Sequence, residues 1–162
     1  MGIFKKKQKD YSVSNETKNM VFGDVRNIGN WYTVNSFPIT IWENSFSVRV
    51  RLVSNGKEDP ITNEQEEAFK RFQANQKEYE RLIEDGMDHF FCTVDAEKLH
   101  GSIDIQGLYI GKDGKLGAAL CAHLNNDLLE ENGIGPDDQF GIVLYPEMHV
   151  LPSNEEFLDY FE

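Results

Sequence analysis

At 162 residues the chain has the size of a single domain and can bury a core without disulfide or metal staples. Hydrophobic content of 40% with 12% aromatics excludes wholesale disorder. A net charge of −12 argues against nucleic-acid binding, which needs a cationic surface, and suits a basic protein partner; plain solubility is the bland alternative.

The charge is unevenly placed. Residues 1–56 carry +4, residues 57–98 carry −6, residues 99–126 balance, and residues 127–162 carry −10, with no Lys or Arg after Lys115. Cys92 and Cys121 lie in apolar segments and read as core thiols rather than a disulfide or a metal pair. No run of 18 apolar residues marks a transmembrane helix. The start "MGIFKKKQK" has no apolar region behind its lysines, and Lys6 stands where a myristoylation site needs Ser or Thr. The expected location is cytoplasmic.

In chain order, residues 1–19 are polar and aperiodic, and read as a flexible basic lead-in to a single domain over 20–162. "MVFGDV", "NWYTV", "FPITIW" and "SFSVRVRLV" follow as β signals, a meander of about four strands. In the last of these, Phe46, Val48, Val50 and Leu52 fall on one face and Ser47, Arg49 and Arg51 on the other, the period of a half-buried strand with its arginines toward solvent. A long helix is expected from "ITNEQEEAF" onward, opened by a Thr62–Gln65 capping box with acids in its first turn. Phe69, Phe72, Tyr79, Leu82, Ile83, Met87 and Phe90 form its buried stripe, with Glu66–Lys70 and Glu67–Arg71 as surface pairs. Gly86 is the position at which this helix would weaken or end.

"GSIDIQGLYIGKDGKLGAALCAHL" reads as a hairpin turning at Asp113-Gly114, with a bulge at Gln106-Gly107. The small residues Gly117, Ala118 and Ala119 would admit the long helix closely. "QFGIVLYP" is a further strand, and "SNEEFLDYF" a short helix capped by Ser153 or Asn154. The fold class is therefore α+β: an antiparallel sheet of about six to eight strands packed on one long helix, with a short C-terminal helix.

Tests for chemistry return little. The glycines of "YIGKDGKLG" do not fit a phosphate-binding loop, and there is neither a Walker A sequence nor a GxSxG elbow. Cys92 with His100, and Cys121 with His123, lack the electropositive setting that a thiolate needs. After Asp127 the calcium-loop template fails, since Leu129, Glu131 and Asn132 occupy its third, fifth and sixth positions. His123 and Asp127 have helical ligand spacing in a segment that does not read as helix. No catalytic residue, metal ligand or cofactor is assigned. The surface that remains is an acidic, Gly- and Asn-containing segment with Asp127, Glu130, Glu131, Asp137 and Asp138, the candidate partner-binding residues.

"VFGDV", Trp31, "FPITIW", "SFSVRVRL" and the Thr-x-x-Gln helix start, with Phe72 and Asn75 in its second and third turns, resemble a family of uncharacterised bacterial α+β domains. "DGKLG" and "EENGIG" are similar to its C-terminal half, although "NNDLLE" stands where an acidic cluster with Trp is expected. The resemblance carries no catalytic residues. It implies association with toxin–immunity loci, where small acidic proteins neutralise a toxin by binding it. The expected function is thus non-catalytic binding, of immunity type, to a basic toxin or effector. A small metal- or carboxylate-dependent enzyme and a structural or regulatory interaction module stay open as alternatives.

Overall fold

A computed structural model of the chain describes residues 16–56, 58–91, 103–122, 131 and 139–161. Eight strands form one sheet in sequence order: β1 Glu16–Asn19, β2 Gly23–Ile28, β3 Trp31–Ile41, β4 Asn44–Val53, β5 Ile103–Ile110, β6 Leu116–Ala122, β7 Gln139–Tyr145 and β8 His149–Leu151. Among the described residues three helices with assigned bounds accompany it: α1 Asn63–Ala74, α2 Gln76–Phe91 and α3 Asn154–Phe161. The α+β class stands, with two corrections. The sheet is not wholly antiparallel, because β4 and β5 pair in parallel. Such a pair needs a crossover connection, and the stretch holding α1 and α2 supplies it. None of the described helices is long and apolar enough to cross a membrane.

β1–β4 form an antiparallel meander, and β1 begins within the stretch expected as lead-in. "NWYTV" and "FPITIW" fuse into the single strand β3, whose register shifts between Val34 and Phe37. Ser36 takes a φ of 58° at this bulge. Trp42 and Glu43 make the two-residue turn into β4, both with positive φ, a geometry that ordinarily selects Asn or Gly. Burial of Trp42 offsets that backbone strain. In β4 the expected alternation holds: Val48, Val50 and Leu52 are fully buried, while Ser47 and Arg49 are exposed.

The second correction concerns the long helix, which is broken at Asn75. There the backbone leaves helical angles (φ −129°, ψ 36°), and the side-chain Nδ2 donates to the Arg71 carbonyl at 2.9 Å. An Asn side chain competes for backbone partners in this way, which is why it disfavours helix interiors. The Asn75 carbonyl then accepts from the amides of Glu78 and Tyr79, starting α2. The apolar stripe survives the break: Phe69, Phe72, Tyr79, Ile83 and Met87 are buried and Leu82 partly so. Phe90 is not among the side chains described. Gly86 does not end α2. Instead, a Cβ there would lie 3.2 Å from Ile142 and Met148, so its bareness admits β7.

Thr62 and Gln65 form the expected capping box. Gln65 also does what no periodicity foretells. Fully buried, its Nε2 donates to the carbonyls of Val53 (2.9 Å) and Ile110 (3.2 Å). One side chain thereby joins the start of α1 to the ends of both parallel strands. The surface pairs differ from expectation: Lys70 meets Glu67, Arg81 meets Asp85, and Arg71 lies over the Tyr145 ring.

The β5–β6 hairpin has the expected bulge at Gln106-Gly107, but its turn holds three residues, closed by Gly111 and Lys115. Positive φ at Gly114 completes this turn, as the longer hairpin type requires. Gly117 and Ala119 face α3 rather than the longer helices. A Cβ on Gly117 would stand 2.7 Å from Phe161, and one on Gly141 1.9 Å from Phe157. Ser153 Oγ accepts from the Glu156 amide at 3.2 Å and fixes the start of α3. On that side Tyr109, Ala119, Val143, Phe157 and Phe161 form a second, smaller core.

Candidate functional site

Of the five acidic residues singled out from the sequence, Asp127, Glu130, Asp137 and Asp138 lie outside the described residues. Glu131 is described and is exposed. The other described acids beyond Lys115, namely Glu147, Glu155, Glu156 and Asp159, are exposed as well. The helix dipole accounts for the placement of Glu155 and Glu156 in the first turn of α3. His149 approaches Glu147 at 3.8 Å, an ion pair only when the imidazole is protonated.

Cys121 is buried and unbonded to another cysteine; Cys92, His100 and His123 lie outside the described residues. Among the described residues no three His, Cys, Asp or Glu side chains gather in a metal-binding arrangement.

Asp59 is held in its charged form by neighbours that are structural. Lys112 pairs with Asp59, and the Asn55 amide donates to the same carboxylate at 2.8 Å. The Lys112 hydrogen bond, followed by that of Asn55, draws the Asp59 pKa below the ordinary carboxylate value. Tyr32 donates its hydroxyl to the Asp59 carbonyl at 2.7 Å. The cluster ties the segment between β4 and α1 to the β5–β6 hairpin, which explains its place in the fold.

A different concave surface lies across β4, β5 and β6, on the sheet face away from α1 and α2. It is a groove of about 840 Å³, with Arg49 and Arg51 of β4 along one side and Asn154 and Leu158 of α3 along another. Pairing sets its floor: Arg49 lies opposite Gly107, and Arg51 opposite Tyr109. The Arg51 guanidinium stands 5.5 Å from the Tyr109 ring centre, within the range of cation–π attraction. Tyr109 is in turn wedged by edge contacts with Trp31 and Phe157, at 5.4 and 5.1 Å. Gln139 donates to Gln106 at 3.1 Å at the groove's rim.

Strand alternation in the sequence already turns both arginines away from the core. The groove itself was not foreseen, because its floor and wall come from β5, β6 and α3, distant in the chain. The nearest signal was the bare Gly107 beside the bulge.

No protein-family model matches the chain, and neither curated proteins nor solved structures give a match.

Proposed function

We propose that this chain is a binding protein without catalytic activity, of immunity type, which neutralises a basic toxin or effector through its acidic C-terminal surface. One observation carries the reading: the chain has no Lys or Arg after Lys115, and every acid described beyond that point is exposed. A field of one sign accelerates encounter with a cationic partner and repels anionic ones. The resemblance to domains of toxin–immunity loci is in keeping with this role.

The test pairs the purified chain with basic effectors encoded beside its gene, first by pull-down and then by stopped-flow association. Reversing charge at Glu130, Glu131, Asp137 and Asp138 to Lys should slow association, most at low salt. An unchanged rate would remove this surface from the interaction, and failure to capture any basic effector would remove the function.

A further inference from the structure

The groove on the sheet face away from α1 and α2 carries Arg49 and Arg51 and so differs in character from the acidic residues of the C-terminal surface. We propose that it binds a small anionic ligand, whose carboxylate or phosphate is held by Arg49 and Arg51.

The first support is how this chain disposes of its cations. Lys70, Lys77, Arg81, Lys112 and Lys115 each pair with a carboxylate, and Arg71 packs on Tyr145. With 28 acidic against 16 basic residues, carboxylates are plentiful. Among the described residues, nevertheless, no ion pair engages Arg49 or Arg51. The two stand in one groove, two residues apart on one strand face, which separates their Cα atoms by about 7 Å. Guanidinium groups so spaced can converge on one anion or grip two anionic groups of one molecule, each through paired N–H donors.

The second support is the space before them. Opposite Arg49 the strand carries Gly107, and with no Cβ there the edge of the Tyr109 ring lies flat along the floor, 3.3 Å from where a Cβ would stand. Ala119 keeps the floor low on β6, and the β3 bulge at Ser36 opens the other edge. Tyr109 holds the Arg51 head over this space, and the apolar flank of Leu158 supplies a surface for the body of a ligand. Among the described residues of the lining, Asp104 is the one carboxylate.

Size and field select the class. A volume of about 840 Å³ falls within the range of small-molecule sites. The field of a chain at −12 opposes an extended polyanion, which must run across the acidic surroundings. A compact anion within the groove meets two guanidinium groups against one carboxylate, Asp104, among the described lining residues, and charges beyond about 8 Å are screened at physiological salt.

The experiment is calorimetric titration of the full chain with citrate and, separately, with inorganic pyrophosphate. Both are repeated on Arg49→Gln/Arg51→Gln and on a control, Lys70→Gln/Arg81→Gln, which loses the same charge from the helices. Saturable binding of at least one probe is expected, weakened about 10-fold or more in the groove variant and less than about 2-fold in the control. Tighter citrate would mark a carboxylate ligand, and tighter pyrophosphate a phosphorylated one. In the wild-type chain the amide resonances of Gly107 and Gln139 should shift on binding, which locates the site without any substitution. No saturable binding of either probe below about 10 mM would overturn the proposal, as would equal weakening in both variants or shifts confined to other strands.

Discussion

The two faces of the sheet are closed to different degrees. Toward α1 and α2, one continuous core runs from Val25 on β2 to Leu144 on β7, and Phe69, Phe72, Ile83 and Met87 fill it from the helices. On the opposite face, among the described residues, α3 supplies the cover, by a few aromatic rings set against glycines. Beside α3 on that face, among the described residues, the arginines and the groove are found. A sheet covered on both faces yields a rigid floor, whereas one half-covered yields a floor with a wall beside it. The lesson is that the short helix does two things: it completes the minor core and makes the edge of the groove.

This contrast can be broken by substitution. Phe72→Ala empties a fully buried ring position in the major core, and should lower unfolding free energy by about 3–5 kcal/mol in urea titration. A far smaller loss would mean that the helix-packed face is not the main source of stability. Gly141→Val, on the other face, drives a side chain into Phe157 and should cost about 1–3 kcal/mol. That cost should fall locally, so hydrogen exchange would speed in α3 while β4 and α1 stay protected. Equal loss of protection throughout would show that the two cores open as one unit.

Gln65→Leu sharpens the picture at the junction of α1 with the parallel strands. It strips donors from the carbonyls of Val53 and Ile110, and should destabilise by about 1–3 kcal/mol although the replacement is apolar and of similar size at a fully buried position. Thermal melting that matches the parent would show that those carbonyls find other partners.

The smallest effect belongs to Asp59. Its pKa is depressed in the folded chain, so its contribution is present above the ordinary value of 3.8 and is lost as pH falls through the lower folded value. Asp59→Asn should therefore melt earlier than the parent at pH 7, and the gap should close on acidification. A gap that persists at pH 2 would point to packing rather than charge.

Legibility from sequence differed along the same divide. β4 is exposed on one side and buried on the other, so its alternation placed Val48, Val50 and Leu52 correctly and turned Arg49 outward. β6 is buried on both sides through residues 116–121, and a strand of that kind shows no alternation from which to read a partner. For this reason Gly117 and Ala119 were expected under the long helix, when in fact they lie under α3. The helix break failed for another reason: the stripe from Phe69 to Met87 keeps its period across Asn75, and apolar periodicity does not register one residue's hydrogen bonding. The acidic segment was legible as charge alone, and of its five candidate residues only Glu131 is placed, at the surface.

What the sequence by itself determined is what short-range chemistry governs: the strand faces, the Thr62–Gln65 cap, the bulge at Gln106-Gly107 and the lopsided charge. Only the tertiary structure decided that β4 and β5 run parallel, that Gln65 reaches two strand ends, and that α3 and the Tyr109 ring stand beside a pair of arginines. Those features join residues tens of positions apart. The contacts that make them arise from packing between elements, which no local period encodes.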